Sequence, residues 1–266
     1  MRKFHPNRHG SRTQRPNEPS RRRDIPSHDR DGPVIIYGWH SVKAAIENPD
    51  RKLLRLLATE NAARRLAEDD VQLPSNTELV RPEAIAARLG PEAVHQGLLA
   101  ETEPLPSLDI DDLDPDRVVL VLDQITDPHN VGAILRSAAA FAASAVVTTA
   151  RHSPEATGVL AKAASGALEY VPIIIVPNLA RALDALKRRN VFVVGLDSSG
   201  SVDLAHAALR APLALVLGAE GKGLRQLTRA TCDVVARLDL PGKLKSLNVS
   251  NAAAIALHIA MSRIAT

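Results

Sequence analysis

The sequence predicts an α/β protein with two modules, and two patterns indicate this. In the C-terminal half, short β-branched runs alternate with helical patterns, and the runs are continuously apolar, as in strands of a buried parallel sheet. In residues 34–103, shorter strands and helices alternate in the manner of a small α/β domain. Hydrophobic residues make up 45% of the chain and aromatic residues only 2%, so alanine, valine and leucine must fill the core.

Residues 1–33 form a basic tail. They contain nine Lys or Arg against four Asp or Glu, a formal charge of +5, whereas the rest of the chain carries −2. The tail is rich in Pro, Ser, Asn and His and poor in large apolar residues, so it is predicted to be disordered. A basic disordered arm commonly binds phosphates by counterion release. A tail that only adds solubility fits the same composition.

The first module occupies residues 34–103. Strands are predicted at Val34–Gly38, Leu53–Thr59, Glu78–Arg81 and Val94–Glu101, and helices at Trp39–Asn48, Glu60–Glu68 and Pro82–Leu89. Residues 104–117 then combine prolines with five aspartates and have neither helical nor strand period, which is typical of a linker. A domain boundary is therefore predicted there.

The second module occupies residues 118–266. Strands are predicted at Val118–Leu122, Ala145–Thr149, Val171–Val176, Val191–Leu196, Leu213–Leu217 and Val234–Leu238, and helices at Val131–Ala142, Glu155–Ala167, Leu179–Arg189, Leu224–Ala230 and Leu247–Ile264. In parallel sheets of this kind the ligand binds beyond the carboxyl ends of the strands. Functional motifs are therefore expected in the loops that follow strands.

Three such loops carry polar or glycine-rich motifs. The loop after the first strand ends in Asn130 and leads into a helix that carries Arg136. The loop after the fifth strand, residues 218–223, has three glycines, which allow close backbone approach to a ligand. After the sixth strand, Ser and Asn alternate in residues 246–250 before an alanine-rich helix, whose unpaired N–H groups suit a polar ligand or a reacting hydroxyl. Taken alone, the Ser and Asn residues are better explained by plain helix capping, and a solvated helix face would account for Arg136.

Motifs of several other protein classes do not occur. No G-x-G-x-x-G opens the first strand–helix turn, and Lys222 is followed by Gly223 and not by the Ser or Thr of a phosphate loop. No Cys or His pair has metal-ligand spacing and no G-x-S-x-G is found, so no metal is expected. A single cysteine, the lack of a secretion signal and the lack of an apolar run of about 20 residues favour a cytoplasmic protein without a membrane partner.

Together the three loops resemble the motifs of a known family. They read Asp123…Asn130-Val131-Gly132-Ala133-Ile134-Leu135-Arg136, Leu217-Gly218-Ala219-Glu220-Gly221-Lys222-Gly223 and Ser246-Leu247-Asn248-Val249-Ser250. In order and spacing they are similar to the three motifs of the SpoU (TrmH-like) RNA ribose 2′-O-methyltransferases. The resemblance covers Val118 to the C-terminus and extends to Gly38–Val42 and His95–Gly97, which look like parts of the substrate-binding domain of the bacterial ribosomal RNA enzymes.

The resemblance implies a trefoil-knotted (SPOUT) parallel-sheet domain, a homodimer, and S-adenosyl-L-methionine as methyl donor. By position, the family's cofactor-binding backbone falls on Gly218, Leu238 and Leu247. Its catalytic polar set falls on Asn130, Arg136, Glu220, Ser246 and Asn248. The family usually has Ile-Pro-Met-x-Gly before the last motif, and here the chain reads Leu238-Asp239-Leu240-Pro241-Gly242, with an aspartate at the usual proline position.

The implied chemistry fits these residue types. A ribose 2′-hydroxyl is a poor nucleophile until its proton is removed or polarised, and methyl transfer from a sulfonium is an in-line displacement that depends on positioning. The resemblance assigns the activation of the hydroxyl to Arg136, either as a perturbed base or as an orienter that stabilises developing charge. Asn130 would hold Arg136 or the ribose. Ser246 and Asn248 would orient the substrate, and Glu220 would brace the motif.

RNA is the expected partner. Few aromatic residues argue against a base-stacking platform, so recognition is expected to rest on shape and on phosphate contacts from the first module and the tail. A guanosine of 23S ribosomal RNA is the predicted substrate. Two alternatives are a sister enzyme that acts on transfer RNA and a non-enzymatic RNA-binding or ribosome-assembly protein on the same scaffold.

Overall fold

Two sheets of different size organise the chain. The computed structural model describes residues 32–90, 92–113, 117–151 and 158–264, so the predicted tail lies almost wholly outside the described residues. The first module consists of β1 (Val34–Tyr37), α1 (Trp39–Glu47), β2 (Leu53–Ala58), α2 (Glu60–Glu68), β3 (Thr77–Leu79), α3 (Pro82–Leu89) and β4 (Leu98–Thr102). The second consists of β5 (Val119–Asp123), α4 (Pro128–Ala140), β6 (Ala145–Thr149), α5 (Gly158–Ala164), β7 (Ile173–Val176), α6 (Leu179–Arg188), β8 (Phe192–Leu196), β9 (Val202–Asp203), β10 (Leu213–Gly218), α7 (Gln226–Thr231), β11 (Val234–Arg237) and α8 (Val249–Ile264).

The smaller sheet has the strand order β1-β4-β2-β3. Strand β4 is antiparallel to both of its neighbours, whereas β2 and β3 are parallel. Helices α2 and α3 have the predicted bounds, but β4 begins at Leu98 and not at Val94. The reason is local, because Gln96 and Gly97 have φ angles of +55° and +83°, which no regular strand contains. Residues 94–97 therefore form a turn ahead of the strand.

The larger sheet has the strand order β7-β6-β5-β10-β8-β11-β9, and every pair in it is parallel. The prediction of a parallel sheet is confirmed. Strand β9 was not predicted, since its two residues are too few to show a pattern. Strands β5 and β10 are neighbours, with Gly218 opposite Asp123, so the loops that follow these two strands leave the sheet side by side. Strand order alone does not establish how the chain threads through its loops, so the trefoil knot stays a prediction.

Helices cover both faces of this sheet. On one face, Leu120 and Leu122 of β5 belong to a buried cluster that includes Ile134 of α4 and Leu257 of α8. On the other face, the intervening valines of β5 belong to a cluster that includes Leu183 of α6. Because alternate residues of one strand are buried on opposite faces, the strand must be apolar throughout. Full burial of one such leucine side chain contributes roughly 1.5–3 kcal/mol to folding.

Helix bounds in the second module differ from the predictions by a few residues. Helix α4 begins three residues before the predicted Val131, because Asp127 and Pro128 provide its N-terminus. Helix α5 ends at Ala164 and not at Ala167, because Ser165 and Gly166 have positive φ angles of +51° and +89°. A short 3-10 helix, Ala167–Glu169, follows it.

A buried ion pair joins the two modules. Arg51, between α1 and β2, donates from Nε and Nη2 to the carboxylate of Glu169, at 3.0 and 2.7 Å. The side chains are only 5% and 2% exposed. The amide of Asn48 also donates to Glu169, at 2.8 Å, and the hydroxyl of Ser41 donates to the carbonyl of Ala161 in α5, at 2.8 Å. The first module is thus held against α5 and the residues that follow it.

The described residues contain neither a candidate membrane-spanning helix nor a candidate metal site. In the ranges given above, no helix combines the length and the apolar composition that crossing a membrane requires. The same ranges contain no group of three or more His, Cys, Asp or Glu side chains arranged to hold a metal ion.

Candidate active site

The first of the three loops ends in a capped helix. Strand β5 ends at Asp123, and four residues later Asp127 accepts a hydrogen bond from the backbone N–H of His129, at 3.0 Å, as the N-cap of α4. Pro128 occupies the first helical position, where a missing N–H costs nothing. Asn130 therefore lies in the first turn of α4, half-buried, at the carboxyl edge of the sheet.

The second loop folds tightly back on the end of β10. The N–H of Gly223 donates to the carbonyl of Ala219, at 2.9 Å, and both Gly221 and Gly223 have left-handed φ angles, +73° and +63°. A Cβ on Gly218 would lie 2.3–2.6 Å from the backbone of Gly223 and Leu224, so a side chain there would force the loop open. The glycines are therefore required by the fold of the loop itself.

The third loop connects the other two. Asn248 Nδ2 donates to Asn130 Oδ1 at 2.9 Å, although 118 residues separate the two along the chain. Its Oδ1 accepts from the N–H of Ser250 at 2.9 Å, so Asn248 also caps α8. The N–H of Val249 donates to Glu220 Oε1 at 3.0 Å, which places a carboxylate at the positive end of α8. Asn130, Glu220 and Asn248 thus meet at one place.

Arg136 lies apart from this junction. It lies six positions after Asn130 in the helix, which corresponds to about 9 Å along the axis and a different face of α4. Its side chain lines an open groove of about 370 Å³ with Ala133, Ser137, Ala140 and Phe141. Within the part of the chain that the structure describes, its guanidinium makes no hydrogen bond or ion pair. A single chain therefore does not bring Arg136 to the other polar residues.

The remaining predicted residues flank the junction. Ser246 is exposed, whereas Leu238 and Leu247 are half-buried, and Leu238 packs against the cluster on the α4 side of the sheet. Asp239, at the position where a proline was expected, accepts two hydrogen bonds from the guanidinium of Arg237, at 2.7 and 3.3 Å. Arg237 also donates to the carbonyl of Gly200, at 3.0 Å. The aspartate is thus tied to the end of β11 and to the loop after β8.

Two acidic residues beneath the glycine loop were not predicted as site residues. The carboxylate of Asp123 is fully buried and accepts from Arg225 Nε at 2.6 Å and from the Arg225 N–H at 3.0 Å. Asp197 Oδ2 accepts from the N–H of Leu224 at 3.4 Å, and its Oδ1 forms an ion pair with Arg229 at 3.1 Å. Burial opposes ionisation of Asp197, but hydrogen bonds from Ser199, Leu224 and Arg229 outweigh it and hold the pKa of Asp197 below its usual value. Both carboxylates fasten the far end of the loop.

A signal for Asp123 was available in the sequence. A buried carboxylate at the end of an apolar strand has to find hydrogen-bond donors, and here the residue that precedes α7 supplies them. Nothing in the spacing identifies Arg225 as the partner of Asp123 or Arg229 as the partner of Asp197, because both contacts join separate segments of the chain.

The chain matches two family models. Residues 117–258 match the SpoU rRNA Methylase family, and residues 35–108 match the model described as RNA 2′-O ribose methyltransferase substrate binding. Among curated proteins, the chain is 36% identical over 241 residues to the 23S rRNA (guanosine-2′-O-)-methyltransferase RlmB of Photobacterium profundum, covering 85% of this chain and 96% of that protein.

Solved structures show the same fold. The SpoU methyltransferase AviRb from Streptomyces viridochromogenes superimposes with a TM-score of 0.74 at 25% identity, covering 88% of this chain and 91% of that one. A structure of AviRb in complex with the cofactor AdoMet gives a TM-score of 0.73 at 24% identity, with 87% and 90% covered. Because one family model spans more than half of the chain and a relative of 36% identity covers most of it, the chain belongs to the SpoU rRNA methylase family.

Proposed function

We propose that this protein transfers a methyl group from S-adenosylmethionine to the ribose 2′-hydroxyl of a guanosine in 23S ribosomal RNA. The observation that carries the proposal is the junction of Asn130, Glu220 and Asn248, in which the three loops that carry the family motifs are hydrogen-bonded to one another. The name of the RlmB relative supports the guanosine of 23S rRNA as the substrate.

The residues around the junction fit the methyl donor. Gly221 has open space where a Cβ would be, so nothing on the loop itself covers its backbone. The half-buried side chains of Leu238 and Leu247 offer apolar surface for an adenine, and the backbone at Gly218 lies at the carboxyl edge of the sheet, where ligands of parallel sheets bind. When bound, the cofactor supplies an electrophilic methyl group on a sulfonium.

The polar residues have separate tasks in this proposal. Asn130 and Asn248 share one amide–amide hydrogen bond, and each keeps further hydrogen-bonding capacity for a ribose hydroxyl. Ser246 is exposed just before α8 and contacts the RNA. Glu220 braces the start of α8 through the N–H of Val249, a positioning task. The fixed amides hold the hydroxyl in line with the methyl group, and such orientation accounts for much of the rate in displacement reactions.

Arg136 polarises the hydroxyl from a second copy of the chain. The groove that contains Arg136 is lined by the small side chains of Ala133, Ser137 and Ala140 beside Phe141, and such a surface permits close approach of another helix. A two-fold interface through this groove makes the protein a homodimer and delivers the guanidinium to the partner's site. There it stabilises the negative charge that develops on the oxygen.

This proposal for Arg136 predicts complementation. Arg136→Ala and Asn248→Ala homodimers are each expected to be inactive. When the two variants are co-expressed, the whole population is expected to recover about a quarter of wild-type activity, because about half of the dimers are mixed and each mixed dimer has one intact site of two. If the mixture stays inactive while both variants still dimerise, Arg136 acts within its own subunit or not at all.

The division of the chain and its location in the cell are also part of the proposal. The substrate-binding module comprises residues 34–103, the linker residues 104–117 and the methyltransferase module residues 118–266; the basic tail at 1–33 adds phosphate contacts. The protein acts in the cytoplasm, where its ribosomal RNA substrate lies. The first module favours ribosomal RNA over transfer RNA, because residues 35–108 match the substrate-binding model and the RlmB relative spans both modules.

The test is a methylation assay followed by site mapping. Purified protein is incubated with labelled S-adenosylmethionine and either an unmodified 23S rRNA transcript or a transfer RNA pool, and 2′-O-methyl positions are then mapped. Label at one guanosine of 23S rRNA is expected, and Asn130→Ala is expected to abolish it without unfolding the protein. If label is found only in transfer RNA, the substrate is transfer RNA and not 23S rRNA. Absence of label from both, with RNA binding intact, would favour the non-enzymatic alternative.

A further inference from the structure

A second cavity lies in the first module, away from the junction. Strands β1 and β2 end where the antiparallel β4 begins, so Trp39, Thr59 and the turn His95–Gly97 meet at one edge of the small sheet. Together with Asn61 and Arg65 of α2 they line a cavity of about 240 Å³. This is smaller than the roughly 300–1,000 Å³ typical of pockets for drug-sized ligands. Its size suits part of a polymer, such as one nucleotide.

The polar groups of the cavity are mainly hydrogen-bond donors. The Arg65 guanidinium lies over the Trp39 ring, with Cζ 3.8 Å from the ring centroid, and this cation–π contact restrains it. His95 Nδ1 accepts from the N–H of Gly97 at 3.1 Å, so the neutral ring carries its proton on Nε2. Gln96 Oε1 accepts from the N–H of Trp39 at 2.9 Å, which leaves the Gln96 amide hydrogens free to donate.

Asn61 adds to this set. Its Oδ1 accepts from Arg64 at 3.2 Å, so its NH₂ group is the part left for a ligand. No carboxylate is found among the described residues that line the cavity. A group of donors with one permanent positive charge selects a ligand rich in acceptors and negative charge. Phosphate and base carbonyl oxygens of RNA match that chemistry.

The turn at His95–Gly97 determines the shape of the cavity. A Cβ on Gly97 would lie 2.4 Å from Thr59 Oγ1 and 3.0 Å from Ala62 Cβ, so the turn lies directly on the start of α2. The Thr59 N–H donates to the Gly97 carbonyl at 2.9 Å and fixes this approach. The donors are thus pre-positioned and do not have to be ordered when a ligand binds.

The cavity is separated from the junction by α5. Lys162 of α5 donates to the carbonyl of Val94, next to His95, at 2.9 Å. Its neighbour Ala163 packs on Gly132 of α4, where an added Cβ would lie 2.4 Å from the Ala163 Cβ. Gly132 is two residues from Asn130. Contacts therefore lead from the cavity across one helix to the methylation site.

We infer that this cavity is an RNA subsite, in which Arg65, His95 and Gln96 hold one nucleotide of the substrate at a fixed distance from the ribose that is methylated. The inference rests on the proposed function and adds the location of a substrate contact outside the catalytic module. Arg65 provides the charge for a phosphate, and its contact with Trp39 keeps the guanidinium at the cavity. The buried Arg51–Glu169 pair keeps the distance constant.

The test measures RNA affinity without cofactor and methylation kinetics with it. An unmodified 23S rRNA transcript is the probe, and Arg65→Gln and His95→Ala are compared with Arg55→Gln. Arg55 serves as a matched control because it lies near the start of β2, at the other end of that strand from Thr59. We expect Kd and KM for RNA to rise about tenfold in the two cavity variants and less than twofold in the control, with kcat nearly unchanged. Arg65→Gln should also lower the salt slope by about 1.

The outcomes separate this inference from the proposed function. If wild-type protein binds the transcript but does not methylate it, the proposed function fails, and the binding comparison still tests the cavity. If wild-type protein methylates the transcript and both cavity variants keep wild-type Kd and KM, the subsite is disproved. Thermal unfolding identifies any variant that does not fold, and Asn61→Ala, an exposed position on α2, then replaces it.

Discussion

Removal of one partner from the buried Arg51–Glu169 pair should destabilise the protein strongly. In Arg51→Met the Glu169 carboxylate stays buried with only the Asn48 amide as a described donor, and in Glu169→Leu the guanidinium loses both of its bonds to the carboxylate. Because the side chains are 5% and 2% exposed, water cannot replace the lost partner. Breaking such pairs costs about 3–5 kcal/mol. With a urea slope of about 3 kcal/mol/M, the unfolding midpoint should fall by about 1 M or more.

The double variant tests whether the loss of stability in the single variants comes from the charge that is left without its partner. Arg51→Met combined with Glu169→Leu replaces both charges by apolar groups, and such replacements are often nearly neutral. The loss in the double variant should therefore be much smaller than the sum of the two single losses. Urea unfolding followed by circular dichroism measures all four proteins, with Arg55→Gln at the exposed Arg55–Glu78 pair as a control. Single variants that unfold at the same urea concentration as this control would refute the reasoning.

Three further predictions concern single residues. Gly132→Ala should lower the free energy of unfolding by about 1–3 kcal/mol, because its Cβ would lie 2.4 Å from that of Ala163; a urea midpoint equal to wild type would contradict this. Burial, assisted by Asp233, raises the pKa of the Cys232 thiol to about 11 from its ordinary 9.0, so iodoacetamide at pH 8 should alkylate the native protein about a hundredfold more slowly than the urea-unfolded chain. The pKa of Asp197 is lowered in the folded state. The ionised Asp197 should therefore stabilise the fold fully above its ordinary pKa of 3.8, and this stabilisation should disappear as the pH falls through the lower folded pKa. Asp197→Asn should remove this part of the acid dependence of thermal unfolding.

The sequence predicted most elements because their signals are local. The run Leu213–Leu217 is apolar throughout and Ala145–Thr149 is β-branched at four of its five residues, since helices cover both faces of their sheet. Such patterns do not depend on distant residues. The bounds of α2 and α3 were also predicted, because Thr59 caps one helix and Pro82 begins the other. The family motifs predicted that the three loops carry the site residues, and the structure brings Asn130, Glu220 and Asn248 together.

Other features depend on contacts that spacing does not encode. The turn at Gln96 interrupts what looks like a continuous strand, because a left-handed residue there has no strong signature other than the glycine after it. The Arg51–Glu169 and Asp123–Arg225 pairs join residues about a hundred positions apart, and arginine and acidic side chains are too common for such partners to be identified. Arg136 was expected at the junction, whereas one chain places it in a separate groove.

The interleaved strand order of the larger sheet affects how the protein folds during its synthesis on the ribosome. Strand β10 fills the place between β5 and β8, and β11 fills the place between β8 and β9, so the later strands close gaps left by the earlier ones. Synthesis proceeds from the N-terminus, and long-range strand pairing is slow. A nascent chain that has emerged only as far as β9 contains the paired strands β7, β6 and β5, whereas β8 and β9 still lack the strands that pair with them. The catalytic site should therefore form late, after β11 and α8 have left the ribosome.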